Sequence, residues 1–263
     1  MTTKTSRRFS GIVIAAGLLF FAAVPLNGSK TLEEITEESY DLSATGTLTI
    51  RNQDGRIYLY GSDGSELRVK VIRKAFSQER LDELKVNVSI DGDDAVIETG
   101  FPPKPEGWST SDRSGTVEYL INVPQHCTVK KAELANGEIM IDGMRGPSIE
   151  AQVGNGRIHA RNCFTSARFT LERGGMEVFY GWWERRAFSL AAEIASGNVR
   201  VLIPSDANAR IDATTVNGNL QSRFAKPGES LGRKFETTLG DEGANAELTL
   251  RATNGNVRID KSY

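Results

Sequence analysis

The chain has 263 residues, of which 39% are hydrophobic and 25% are charged. This composition is typical of a folded globular protein and excludes a disordered or multi-span membrane chain. The 32 basic and 34 acidic residues give a formal net charge of -2, which lacks the positive surplus of a general nucleic-acid binder.

The N-terminal segment has the pattern of an export signal. Lys4, Arg7 and Arg8 precede an uncharged, largely apolar run over residues 11–26, which is short for a membrane span. We therefore expect residues 1–29 to be a signal peptide, cleaved or kept as an anchor, and residues 30–41 to be a linker. The rest is expected in the periplasm, at the cell surface or outside the cell, with membrane contact only through an uncleaved N-terminus.

A short repeat organises the remaining chain. Its mark is a glycine, most often preceded by a small polar residue, and the glycines from Gly137 to Gly255 are separated by 19, 18, 23, 21 and 37 residues. The last interval is about twice the others, so the period is about 20 residues. The residues expected at structural corners are Gly55, Asn136, Gly137, Asn155, Gly156, Gly174, Gly197, Asn217, Gly218, Asn254 and Gly255.

Apolar residues alternate on both sides of each corner, which is the periodicity of a β-strand. In one repeat, Ala151 and Val153 lie before Gly156, and Ile158 and Ala160 lie after it. These apolar residues are odd-numbered before the corner and even-numbered after it, so the strand face that points inward changes at the corner. This change requires a corner, and both Asn and Gly tolerate the positive φ of a corner residue.

Two architectures fit such a strand–corner–strand repeat. Hairpins would give an antiparallel meander, sandwich or propeller, whereas solenoid coils would stack in parallel about 4.8 Å apart. The recurring Asn, able to form a side-chain ladder, and the period of about 20 residues favour the solenoid. We predict an all-β fold, a single-stranded parallel β-helix or solenoid of about 20-residue coils, with the last coil forming an open C-terminal edge.

The N-terminal third is less regular. Gly115, followed by Val117 and Tyr119, looks like a further copy of the repeat. Residues 77–84 predict the only helix, with Ser77 as its N-cap. Residues 99–114 and 223–234, which are rich in Gly, Pro and polar residues, are predicted loops.

The order of these features resembles a known family. The strand ending in proline at residues 119–124, the repeated Asn-Gly units and the closing segment 248–260 are similar to the bacterial putative-adhesin domain, a family of unknown function. The resemblance covers residues 42–261. It implies an exported or envelope-facing β-solenoid and brings no catalytic residues. Arg173 at a corner and the aromatic insertion after residue 178 depart from the family pattern.

The aromatic insertion is a candidate ligand contact. Tyr180, Trp182 and Trp183 lie in a long interval between corners, where Trp rings could stack on sugars, insert at a membrane interface, or cover the core. Arg185 and Arg186 follow directly and could form a cation–π contact within the loop.

An outward row of charges is the second candidate. Arg157 and Arg200 lie one and three residues after their corners, where Arg, His and Glu recur. The row is either a solvated face with intercoil ion pairs or a docking surface for an anionic glycan or partner.

No catalytic, metal or cofactor-binding residue is expected, and no cofactor. Asp142, Asp212 and Asp260 lie at different or distant repeat positions, and neither His has a nucleophile arranged around it. The sequence therefore predicts a non-catalytic structural or binding module of the cell envelope, adhesin-like, whose partner is a cell-surface glycan or envelope protein and not a nucleic acid. The alternative is a polysaccharide-active β-helix enzyme, a lyase or hydrolase.

Cys127 and Cys163 are expected to be buried and unpaired. They are 36 residues apart, close to two periods, which places their Cα atoms about 9–10 Å apart, beyond the roughly 7 Å limit for a disulfide. Denaturing the non-reduced protein in iodoacetamide should therefore add two carbamidomethyl groups per chain by intact mass spectrometry. A mass showing an intramolecular disulfide would contradict the spacing.

Overall fold

A computed structural model describes residues 30–103, 106, 112–240 and 244–262. The predicted export signal at residues 1–29 lies outside the described residues. Within the described ranges the chain forms fifteen strands and one helix, α1 (Gln78–Glu83). The strands are β1 (Leu32–Asp41), β2 (Thr47–Ser62), β3 (Glu66–Ala75), β4 (Lys85–Asp91), β5 (Asp94–Gly100), β6 (Thr116–Pro124), β7 (Thr128–Asp142), β8 (Ser148–Arg161), β9 (Ser166–Phe179), β10 (Phe188–Pro204), β11 (Ala209–Asn217), β12 (Leu220–Ser222), β13 (Lys234–Leu239), β14 (Ala246–Asn254) and β15 (Val257–Ser262).

All of these strands belong to one open, mixed sheet. Pairing is parallel from β2 through β7, β8, β9 and β10 to β14 and β11. It is antiparallel in β1–β3, β3–β6, β4–β5 and β11–β13. The all-β class and the single short helix are confirmed. The sheet as a whole is not uniformly parallel, because short reversals, such as the turn at Gly92 between β4 and β5, produce antiparallel pairs at its two ends.

In the centre of the sheet, the glycines expected at corners are aligned across neighbouring strands. Gly55, Gly137, Gly156, Gly174 and Gly197 pair residue for residue from β2 to β10. Each of these strands continues through its corner instead of turning back on itself, so the hairpin alternative is wrong for these repeats. Apolar side chains on both sides of the corner are buried in one continuous core.

These corners require glycine for a steric reason. Gly156 has a φ of 141°, and a Cβ added there would lie 1.8 Å from the carbonyl oxygen of Gly137. The same 1.8 Å approach recurs at Gly174 and Gly197. L-residues rarely adopt this φ, and no side chain fits against the neighbouring backbone. The repeats therefore stack with their corner backbones in direct contact.

Two expectations for the N-terminal third need correction. Residues 30–41, expected to be a linker, contain β1, which pairs with β3 over ten residues. Gly115 is not in the corner row, because Gly55 pairs with Val117, two residues further on. Strand alternation repeats every two residues, so the pattern after Gly115 could not reveal a two-residue shift. The predicted N-cap of α1 is confirmed, since Ser77 Oγ accepts from Arg80 N at 3.2 Å.

The C-terminal repeat is inserted inside the sheet. β14 lies between β10 and β11, and β15 lies between β10 and β12, all in parallel. A Cβ at Gly255 would lie 1.6 Å from the oxygen of Gly197, and one at Gly218 would lie 1.8 Å from the oxygen of Gly255. The expected open edge at the last repeat is therefore wrong. β11 pairs with β13 along one of its edges, so only its other edge, which faces β10, is available to β14.

The corner contact can be tested with two alanine substitutions. Gly156→Ala should lower the free energy of unfolding by about 1–3 kcal/mol from backbone strain alone, and further through the clash with Gly137. Gly175→Ala is the matched control, because no atom outside the adjoining residues lies within 4 Å of a Cβ there. That variant should be neutral or stabilised by up to about 1 kcal/mol. Urea unfolding measures both, and equal stability of the two variants would contradict the contact.

Candidate functional site

An aromatic cluster lies where β8, β9 and β10 are joined. The rings of Phe164, Tyr180, Trp182, Trp183 and Phe188 pack with neighbouring centroids 5.1 to 5.9 Å apart. Phe164 comes from the β8–β9 connection, and the Tyr and both Trp residues come from the β9–β10 connection. Offset and edge-on ring pairs of this kind stabilise a core beyond their buried area.

The three predicted aromatic contacts have different positions. Tyr180 is fully buried, and Trp183 is half-buried against the core. Trp182 is 49% exposed. Only Trp182 therefore presents a large part of an aromatic ring to the outside, while its neighbours cover the core.

Trp182 is held by a chain of polar contacts. Its Nε1 donates to Glu184 Oε1 at 3.3 Å, and Arg145 donates to the same oxygen from Nη2 at 2.7 Å and from Nε at 3.0 Å. The Arg145 guanidinium also lies 5.7 Å from the centroid of the Phe164 ring. The cation–π partner is thus Arg145, 39 residues from Glu184 along the chain, and not the adjacent Arg185 or Arg186. Sequence reasoning missed Arg145 because no local pattern links it to the aromatic loop.

Two polar atoms in this cluster are buried without a hydrogen-bond partner among the described residues. They are the Tyr180 hydroxyl and the Trp183 Nε1. Burial also raises the pKa of Tyr180, so its hydroxyl stays protonated at ordinary pH. An unpaired buried polar group costs about 1–3 kcal/mol. Both atoms lie inside the molecule.

The corner residues form a side-chain ladder. Asn136 Nδ2 donates to Asp54 Oδ1 at 2.8 Å, and Asn155 Nδ2 donates to Asn136 Oδ1 at 3.1 Å. Arg173, which departs from the repeat, continues the ladder by donating to Asn155 Oδ1 at 3.1 Å. A second pair joins Asn217 to Asn254 at 2.9 Å. The ladder borders an open groove of about 600 Å³ that is lined in part by Asn136 and Asn155.

The predicted charged row contains ion pairs between neighbouring strands. Arg157 is exposed, whereas Arg200 contacts Glu177 at 3.3 Å and Asp260 at 2.8 Å. Arg157 pairs in register with Gly175 and Arg200 pairs with Glu177, so the two arginines lie at different positions after their corners. The structure therefore shows ion pairs between neighbouring strands and does not bring the two arginines together.

Asp260 is the most enclosed carboxylate in these ion pairs. Its side chain is 8% exposed and accepts from Arg200 Nε at 2.8 Å and from Arg258 Nε at 3.0 Å. Burial acts to raise its pKa, but the hydrogen bonds from the two arginines outweigh burial and hold the pKa below its usual value. Chain order separates Arg200 from Arg258 by more than one repeat, and the insertion of β15 makes them direct neighbours.

The other acids considered for catalysis are also engaged by arginines. Asp142 lies 3.9 Å from Arg161, and Asp212 lies 2.6 Å from Arg251.

In the part of the chain that the structure describes, no three His, Cys, Asp or Glu side chains are arranged to hold a metal ion. Over the same residues, no helix has the length and apolar character needed to cross a membrane. Both cysteines are buried, and burial raises the pKa of each thiol to about 12.

A solved structure shares this fold. A putative cell adhesion protein from Clostridium sporogenes matches with 15% identity and a TM-score of 0.52, over 87% of this chain and 100% of that one. A putative adhesin from Bacteroides fragilis (8% identity, TM-score 0.30, 86% and 97% covered) and a putative lipid binding protein from Parabacteroides distasonis (12%, 0.29, 86% and 96%) match more weakly. No family profile and no curated protein matches the chain. The similarity to the clostridial protein is one of fold.

The Asp260 ion pairs predict a pH dependence of stability. A carboxylate whose pKa is lowered on folding stabilises the folded state above its unfolded pKa of about 3.9, and this contribution is lost as the pH falls through the folded pKa. Asp260→Asn should therefore melt below the wild type at pH 7, and the difference should shrink below about pH 4. The exposed Asp206→Asn is the control and should change little. A constant difference for Asp260→Asn between pH 7 and pH 3 would contradict this assignment.

Proposed function

We propose that this protein is an exported, non-catalytic binding module of the cell envelope that belongs to the putative-adhesin family. Residues 42–261 would form one domain wound as a parallel β-solenoid of about 20-residue coils, with β1 added at its N-terminal side. The in-register parallel pairing from β2 to β11 supports the winding. The signal-like segment at residues 1–29 supports export.

The observation that carries the binding role is the presentation of Trp182. Its ring is half exposed, its indole N–H is held by Glu184, and its neighbours fill the core below it. A Trp face fixed in this way has the apolar surface and low residual freedom that favour stacking on a sugar ring. A cell-surface glycan or a glycan-bearing envelope protein is the ligand class that fits this surface.

Trp182→Ala tests the proposal. Retention of the full chain on purified envelope fragments should weaken by about tenfold or more, while the melting temperature changes little because the ring is half exposed. Val216→Ala, which truncates an equally exposed apolar side chain (52%), is the control and should bind as the wild type does.

Trp183→Ala separates binding from folding. It removes a ring that packs on Phe188 and Tyr180, so it should cost about 3 kcal/mol of stability. Unchanged retention of Trp182→Ala on envelope fragments would overturn the binding role.

A further inference from the structure

Three arginines converge on one carboxylate near the C-terminal end of the sheet. Arg200 in β10, Arg258 in β15 and Arg223 after β12 approach Asp260 with Nε–O distances of 2.8, 2.8 and 4.0 Å. The Asp260 side chain is 8% exposed, whereas those of the three arginines are 45%, 48% and 72% exposed. The buried carboxylate therefore anchors the guanidinium groups, and their other sides face solvent.

This cluster has more cations than anions. Its three arginines face two carboxylates, Asp260 and Glu177, the latter 3.3 Å from Arg200. A guanidinium has five N–H donors, but Arg258 donates to Asp260 from Nε, and the nearest approach of Arg223 to Asp260 is also through Nε. Among the described residues, the terminal nitrogens of these two arginines donate no hydrogen bond. Oriented donors are thus left for an acceptor from outside.

We propose that Arg200, Arg223 and Arg258 form a binding site for an oxyanion group, a sulfate, phosphate or carboxylate, carried by an acidic polysaccharide. Guanidinium groups bind such oxyanions with two parallel hydrogen bonds. Asp260 already orders the arginine side chains, which reduces the entropy lost when an anion binds. Gln221, in register with Arg258, provides a neutral amide for a sugar hydroxyl.

The polysaccharide part of this assignment rests on the proposed function, and the oxyanion site does not. A cluster of three arginines on a chain with a net charge of -2 is too small for the many phosphate contacts that duplex DNA requires. The site shares no residue with the Trp182 contact. The two can therefore fail separately.

The test measures binding of dextran sulfate and of uncharged dextran to the full chain by isothermal titration calorimetry at low ionic strength. We expect dextran sulfate to bind, inorganic sulfate to displace it, and dextran not to bind. Arg223→Gln should weaken the binding of dextran sulfate by about tenfold. Arg157→Gln removes the same charge from an exposed arginine outside the cluster and should change it by less than about twofold.

Arg223 is suited to this test because it is the most exposed of the three and the furthest from Asp260, and a thermal melt confirms folding of the variant. The oxyanion site is overturned if the wild type does not bind dextran sulfate, or if the two variants lose equal affinity. Tighter binding of duplex DNA than of dextran sulfate overturns the choice of a polysaccharide. Loss of envelope retention in Trp182→Ala, measured in parallel, reports on the proposed function alone.

Discussion

The contact on which the rest of this structure depends is that between the backbones of successive corner glycines. A carbonyl oxygen from one repeat occupies the space where the next corner residue would carry a Cβ. Because only glycine permits this approach at a φ near 140°, each repeat has one position at which it can align with its neighbour. Aligning the corners also aligns the buried aliphatic residues on both sides, since a one-residue slip would turn every side chain to the other face.

Because β14 and β15 are inserted between earlier strands, the order of strands in the sheet differs from their order in the chain. β14 and β15 pair with β10 on one side and with β11 and β12 on the other. The sheet therefore cannot be completed until residues 246–262 are available, and its pairings span long stretches of chain. Such non-local contacts are formed late and slowly in folding. The same insertion places Asp260 between Arg200 and Arg223, so the charged cluster exists only in the finished sheet.

Two kinds of feature could be predicted from the sequence: those that recur at each corner, and those that depend only on neighbouring residues. The period of the glycines, the alternation around Gly156, the Asn ladder and the cap at Ser77 all follow from short-range patterns. The sequence did not allow prediction of the insertion of β14, because pairing order is decided by which strand occupies the outer side of β11. The contact of Arg145 and Trp182 with the same Glu184 oxygen could not be predicted either, because the two residues lie in different strand connections that are adjacent only in the folded sheet. The sequence also could not show which aromatic residue is exposed. Tyr180 and Trp182 are only two residues apart, yet Tyr180 is buried in the core and Trp182 is half exposed.

Glycine-edited NMR tests the central claim most directly. In a sample labelled only at glycine, the stack predicts nuclear Overhauser effects that connect Gly137 to Gly156, Gly156 to Gly174 and Gly174 to Gly197, and then Gly197 to Gly255 and Gly255 to Gly218. The jump from residue 197 to residue 255 would establish the inserted repeat at the same time. A spectrum without contacts between these glycines, as expected if each strand folded back at its own corner, would contradict the account.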